Sequence, residues 1–296
     1  MDPIQQICKS IGDVTTYLKS KGIEEKYLQF GGEDPPPVKQ PRAPTDARSE
    51  FLANRAMGDW AENILTDQIN QGNLFKAIHY GNTETIAAGE EGFKEYYLSA
   101  LEEVRKYGKR PDLLVFPKGA DIPEDLSSVP VQESDKYVVS AQAAIEVRSS
   151  KFEAQTYMRV RQQEKLEGKS GNETPSFTVK VEDLRIVYRW IERHKISQSY
   201  CQVFFDSVYA INVAQIFEQI ATGKNFKIET PEKSQLKTTI MIPITCGELV
   251  GRFESLPEFA VENKVTRLGR HDAYVKPVGG KLALDQAKLK LVLVGS

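Results

Sequence analysis

Two acidic residues and a lysine stand where neighbouring strands would bring them together. Residues 111–116 read Pro-Asp-Leu-Leu-Val-Phe, and residues 144–152 read Ala-Ile-Glu-Val-Arg-Ser-Ser-Lys-Phe. Pro111 fixes its own φ and offers no N–H, which suits the start of a strand, so Asp112 falls at the strand's edge with an apolar run behind it. In the second stretch, alternation puts Ile145 and Val147 on one face and Glu146 and Arg148 on the other. If the two strands pair, Asp112 and Glu146 converge on one side of the sheet. Two carboxylates at close range repel and raise a pKa unless a cation neutralises them. Hard oxygen ligands of this kind suit Mg²⁺, which keeps several waters and recruits phosphate oxygens from its substrate. Lys151, just past the strand, is then placed to orient a water or to stabilise charge on a phosphorane.

Those side chains need a sheet and helices to hold them. Residues 1–30 suggest a small helical element, followed by a Gly- and Pro-rich linker over 31–46. From Ser49, the spacing of Phe51, Leu52, Met57, Trp60, Ala61, Ile64 and Leu65 predicts an amphipathic helix. A second helix is expected to stop at Gly108. Strands are expected over 113–116 and 137–147, with a loop-like stretch between them, then a helix over 152–167. The segment VEDLRIVYRWIERHK reads as a helix, YCQVFFDSVYAI as one buried strand and NVAQIFEQIATG as a helix ended at Gly223. The tail, with KTTIMIPI and LKLVLVG as apolar runs, reads as strand-rich, and Gly279-Gly280 as a turn. The order predicts an α/β fold: a mixed central β-sheet flanked by helices, with residues 1–46 as the N-terminal element and linker and 47–296 as the main domain.

At 296 residues the chain is long enough for a substantial core, and 40% hydrophobic with 27% charged residues is a soluble globular composition. No apolar run approaches the roughly 20 residues that span a bilayer, so no membrane partner is expected, and MDPIQQICKSIGDV lacks a signal-peptide pattern. Three scattered cysteines, Cys8, Cys201 and Cys246, suggest a reducing compartment and no zinc site. A net charge of −2 argues against a general polyanion binder but allows basic residues gathered in one cleft. His194 and His271 are isolated from any ligand or triad spacing, and Trp60 and Trp190 read as core.

With Pro111-Asp112, Glu146-Val147-Arg148 and Lys151, the sequence resembles the PD-(D/E)XK nuclease superfamily. IEVRSSKF, WIERHK and YCQVFFDSVYAI make it similar, over roughly residues 50–220, to type II restriction endonucleases of the AccI and AgeI kind. The resemblance implies a restriction-endonuclease-like core and Mg²⁺-dependent, sequence-specific hydrolysis of double-stranded DNA. It also implies a homodimer on a palindromic site in the cytoplasm of a prokaryote, with Asp112 and Glu146 as the metal ligands. It further implies that an early helix often adds a carboxylate, which Glu62 would supply here. The usual lysine two residues after the acid is Arg148, which cannot give up its proton. Either Lys151 swings onto the Glu146 face, or Ser149-Ser150-Lys151 is the working pattern and Glu164, from the next helix, is the second acid. On that helix Gln155, Arg159 and Gln162 recur on one face with Arg161 beside them, and Arg and Gln are side chains that bind guanine and adenine edges. Rival readings are a repair or structure-selective nuclease, and a non-catalytic DNA-binding protein on the same core.

Overall fold

The computed structural model describes residues 2–32, 34, 49–82, 91–230, 238–265 and 269–295. The N-terminal half carries α1 (Pro3–Ser20), α2 (Ser49–Gln71), β1 (Phe75–His79), α3 (Phe93–Tyr107), β2 (Leu113–Pro117), α4 (Val131–Val138) and β3 (Ala143–Ser149). Next come α5 (Ala154–Leu166), β4 (Ser176–Lys180), α6 (Val181–His194), β5 (Gln198–Val203), β6 (Ser207–Asn212) and α7 (Val213–Thr222). The tail adds β7 (Lys227–Glu229), β8 (Thr239–Pro243), β9 (Glu248–Ser255), β10 (Glu258–Val265), β11 (His271–Val278), β12 (Lys281–Leu284) and α8 (Gln286–Val294).

The expected α/β architecture is present. A seven-stranded sheet runs in the order β1-β2-β3-β5-β6-β9-β12. Among the described residues only β3 and β5 pair parallel within it, so the sheet is mixed. A three-stranded sheet, β4-β8-β7, and a two-stranded ribbon, β10-β11, lie outside it. Strand alternation divides the core in two. Leu113, Val115, Ala143, Ile145 and Val147 pack with Ala61, Leu65 and Ile69 of α2 and Leu289 and Leu293 of α8. Leu114, Phe116, Ala144 and Tyr200 face the other way, into a core shared with α1, α6 and α7. Of the linker expected over 31–46, residues 33 and 35–46 lie outside the described residues.

Three local expectations are corrected. The strand expected over 137–147 begins only at Ala143, because Val131, Ser134 and Val138 bury one helical face as α4 behind Pro130. YCQVFFDSVYAI is two strands: the chain turns at Phe204–Asp206, and Asp206 leaves the ladder to accept from the N–H groups of Ala154 and Gln155, both at 2.8 Å. LKLVLVG belongs to α8, where Leu289 and Leu293 are buried at helical spacing and Asp285 caps the N-terminus. Strands β1 and β4 carried no clear signal in the sequence.

One joint positions the site. After α3 the chain turns at Gly108, whose φ of +86° and ψ of 176° are open essentially to glycine alone. A Cβ there would stand 2.5 Å from the Ile186 carbonyl oxygen and from the Trp190 nitrogen, so the loop lies directly against α6. The Lys109 N–H donates to that same Ile186 oxygen at 3.0 Å. Arg110 is buried, pairing through two nitrogens with Glu103 at 2.7 and 2.9 Å and donating to the Val129 carbonyl at 2.9 Å. Gly108→Ala combines backbone strain with a steric clash and is expected to destabilise the fold by about 2–5 kcal/mol in urea denaturation. A loss well under about 1 kcal/mol would show that the joint is softer than its geometry requires.

Candidate active site

The paired strands bring the two predicted acids together. Leu113 lies opposite Ile145, so Asp112 and Glu146 flank the next position of the same ladder. Asp112 Oδ2 accepts from the Val147 N–H at 2.6 Å, a bond that holds the carboxylate against β3. Glu146 is 1% exposed, on the face opposite Ile145 and Val147, as alternation requires. Its Oε1 receives both the Lys109 ammonium and Arg148 Nη2, the latter at 3.1 Å. Its Oε2 is buried with no hydrogen-bond partner, and so is the Arg148 Nε. A carboxylate buried this deeply with an unused oxygen is costly unless something further fills that position.

Glu62, on α2, shares the same electrostatic field, with Oε2 3.8 Å from Nδ1 of His79. Burial and the charges of Asp112, Asp59 and Glu146 push its pKa up to about 8. Burial and Glu146 push Asp112 up to about 7, against the opposing pull of Lys109, the Val147 N–H and Arg148. Burial pushes Tyr200 up to about 12, and Glu146 adds to it. For Lys109, burial works against the ammonium, but Glu146 and Asp112 outweigh it and the pKa is raised. The site is thus a set of acids whose charges conflict, held in check by two basic side chains.

The remaining predicted residues lie elsewhere. Lys151 is exposed beyond the end of β3. It shares a cavity of about 480 Å³ with Glu164, Arg161 and Phe205, and Asp112, Glu146 and Glu62 do not line it. Glu164 is already paired with Arg161 at 2.6 Å. Gln155 turns inward and donates to the Tyr209 hydroxyl at 2.7 Å, whereas Arg159 and Gln162 are exposed on α5. His194 packs on Trp190 and faces Asp135, and His271 is exposed. Lys109 went unnoticed in the sequence. Its signal was its place two residues before Pro111-Asp112, but only the turn at Gly108 directs it to Glu146.

Among the described residues no three His, Cys, Asp or Glu side chains converge to hold an ion. Magnesium does not require such a cage, because it is held by one or two carboxylates together with waters and substrate phosphates. Asp112 and Glu146 fit that role: both are on the ladder's end, the repulsion that raises the Asp112 pKa is of the kind a dication relieves, and Glu146 Oε2 has no partner.

The mixed sheet thus sets Asp112 and Glu146 side by side at the end of two paired strands. The AccI restriction endonuclease family matches residues 23–170 and 168–294, and the chain belongs to that family. It is therefore a restriction endonuclease, a hydrolase that acts on DNA. No curated protein and no solved structure matches it. Among the described residues no helix is long and apolar enough to cross a membrane.

Proposed function

We propose that this chain is a type II enzyme that hydrolyses phosphodiester bonds in double-stranded DNA at a specific sequence, using Mg²⁺ held by Asp112 and Glu146. The observation that carries the proposal is the half-buried Asp112 set beside the buried Glu146, with one glutamate oxygen left unpartnered. When bound, Mg²⁺ supplies Lewis-acid polarisation of the scissile phosphate and lowers the pKa of water. The chain's own residues do the rest. Asp112 is fixed by the Val147 N–H, and Glu146 by its two cations, so both carboxylates are oriented before substrate arrives. Glu62, on α2, is held largely protonated at neutral pH by burial and the neighbouring acids, and would add negative charge once a bound cation offsets that repulsion. Arg148 stays charged at any working pH and, besides pairing with Glu146, lines a neighbouring cavity from which its guanidinium is placed to bind a phosphate oxygen. The exposed Arg159 and Gln162 of α5 are proposed to contact DNA, with Arg161 beside them; Gln155 would do so only by leaving Tyr209.

One acidic site cuts one strand, so cleavage of both strands is proposed to take a homodimer whose two-fold axis matches a palindrome. The soluble composition is consistent with work in the cytoplasm of a prokaryote, and that setting is likewise proposed. A second layout is favoured by one observation: Lys151 and Glu164 share a cavity, as a Ser-Ser-Lys pattern with a helix acid would have them. Asp112 does not line that cavity, which is why the Glu146 layout is preferred.

Purified protein is expected to cut duplex DNA with Mg²⁺ or Mn²⁺ and to be inert in EDTA. Ca²⁺ should support binding without cleavage, because it accepts loose geometry and activates water poorly. Full activity in EDTA would remove the metal from the account.

A further inference from the structure

We propose that Lys109, entering from the loop before β2, is the catalytic lysine of this site, acting on the scissile phosphate in place of a lysine on β3. The inference rests on the reading of the chain as a phosphodiesterase and names a residue that neither the strand motif nor the family match assigns. The position two residues past Glu146 on β3 is Arg148, and the next lysine along the chain, Lys151, is exposed on a different cavity. Lys109 instead donates to Glu146 Oε1 itself. Its side chain is 29% exposed as a whole, so the stem reaches Glu146 from the protein's surface rather than from within the core.

The backbone that carries it is rigid. Gly108 lies against α6, the Lys109 N–H is fixed on the Ile186 oxygen, and the next side chain, Arg110, is locked on Glu103 and Val129. Four bonds of freedom remain in the lysine stem, enough for the ammonium to shift from a carboxylate oxygen to a neighbouring phosphate oxygen. Lys109 and Arg148 also share Oε1 and leave Oε2 bare, so the ammonium and a dication would use different oxygens of the same glutamate.

In the step itself, a water oxygen forms a bond to phosphorus and one ester P–O bond breaks. The water loses its proton to solvent, and the leaving oxygen takes one from solvent. Lys109 donates no net proton; its ammonium hydrogen-bonds a non-bridging oxygen as negative charge builds on the phosphorane. Loss of one such donor is worth about 10²–10³ in rate.

The test uses full-length wild type, Lys109→Met and Lys109→Arg. It reads single-turnover cleavage in Mg²⁺, duplex affinity in Ca²⁺ and, without DNA, Mn²⁺ affinity by electron paramagnetic resonance. Lys109→Met should cleave about 100-fold more slowly or worse, while Ca²⁺-supported DNA affinity holds and Mn²⁺ binds at least as tightly, a repelling charge having gone. Lys109→Arg keeps the charge and serves as the folding control. It should keep the melting temperature and remain well below wild type in rate, because a planar guanidinium does not reproduce the ammonium's reach. Wild-type rates in Lys109→Met would overturn the proposal, as would a rate loss matched by lost Mn²⁺ or DNA binding, or full activity in Lys109→Arg. A wild type that cuts no duplex DNA in any dication would instead sink the phosphodiesterase reading, and this proposal with it.

Discussion

Asp112→Asn is expected to abolish cleavage, by several orders of magnitude in single-turnover rate, while leaving the apo protein at least as stable as wild type at pH 8. The two halves of that result have one cause. Asp112 is pushed up to about 7 by burial and by Glu146, so at pH 8 its charged form is an unfavourable component of the apo fold. The asparagine oxygen still accepts from the Val147 N–H, and the like-charge repulsion is gone. The charge that opposes folding is the charge proposed to hold Mg²⁺, a common relation between active sites and stability. Glu146→Gln should lose activity to the same degree, but it should also melt lower. It leaves Lys109 and Arg148 without their buried counter-charge, and breaking such a pair costs about 3–5 kcal/mol. Differential scanning fluorimetry beside cleavage assays separates the two variants. If Glu164→Ala is dead and Glu146→Gln remains active, the Lys151–Glu164 layout is correct and the β3 acid is not the ligand.

The second large effect is the pH dependence of dication binding. Protons compete with the ion for Asp112, raised to about 7, and for Glu62, raised to about 8. Below its own pKa, each carboxylate that takes part weakens binding about tenfold per pH unit. Mn²⁺ affinity measured without DNA should therefore climb steeply between pH 6 and 8 and flatten above. Apo stability should move the opposite way. Acids whose pKa is raised on folding lose stability as the pH climbs from the ordinary carboxylate range through about 7 and about 8. Saturating Mn²⁺ should accordingly raise the melting temperature more at pH 8.5 than at pH 6. An affinity flat from pH 6 to pH 8 would mean that the cluster is not where the ion binds.

How much of this was legible in the sequence follows from the range of the interactions involved. Asp112 and Glu146 were legible because a proline marks one strand start and simple alternation sorts the other strand's faces, both local rules. The order of the central elements was legible for the same reason. Residues 131–138 misled because Val131 sat in a polar stretch that reads as loop and Val138 fits a strand start as well as a helix face, and only burial on the sheet decides between them. The leucines of α8 misled for want of a polar face to mark the helix. Gln155 was expected to face DNA, but the Tyr209 hydroxyl that holds it lies two strands away in the chain. Lys109 was out of reach because its direction depends on Gly108 meeting Ile186 and Trp190 of α6, far along the sequence.

The central claim is that a dication held at Asp112 and Glu146 makes this chain a sequence-specific DNA endonuclease. Its most direct test is run-off sequencing of the ends produced on a sequenced plasmid by wild type and Asp112→Asn, each with Mg²⁺ and with EDTA. The account predicts ends at one short sequence, on both strands, from wild type with Mg²⁺ alone. Scattered ends, or the same cuts from Asp112→Asn or in EDTA, would contradict it.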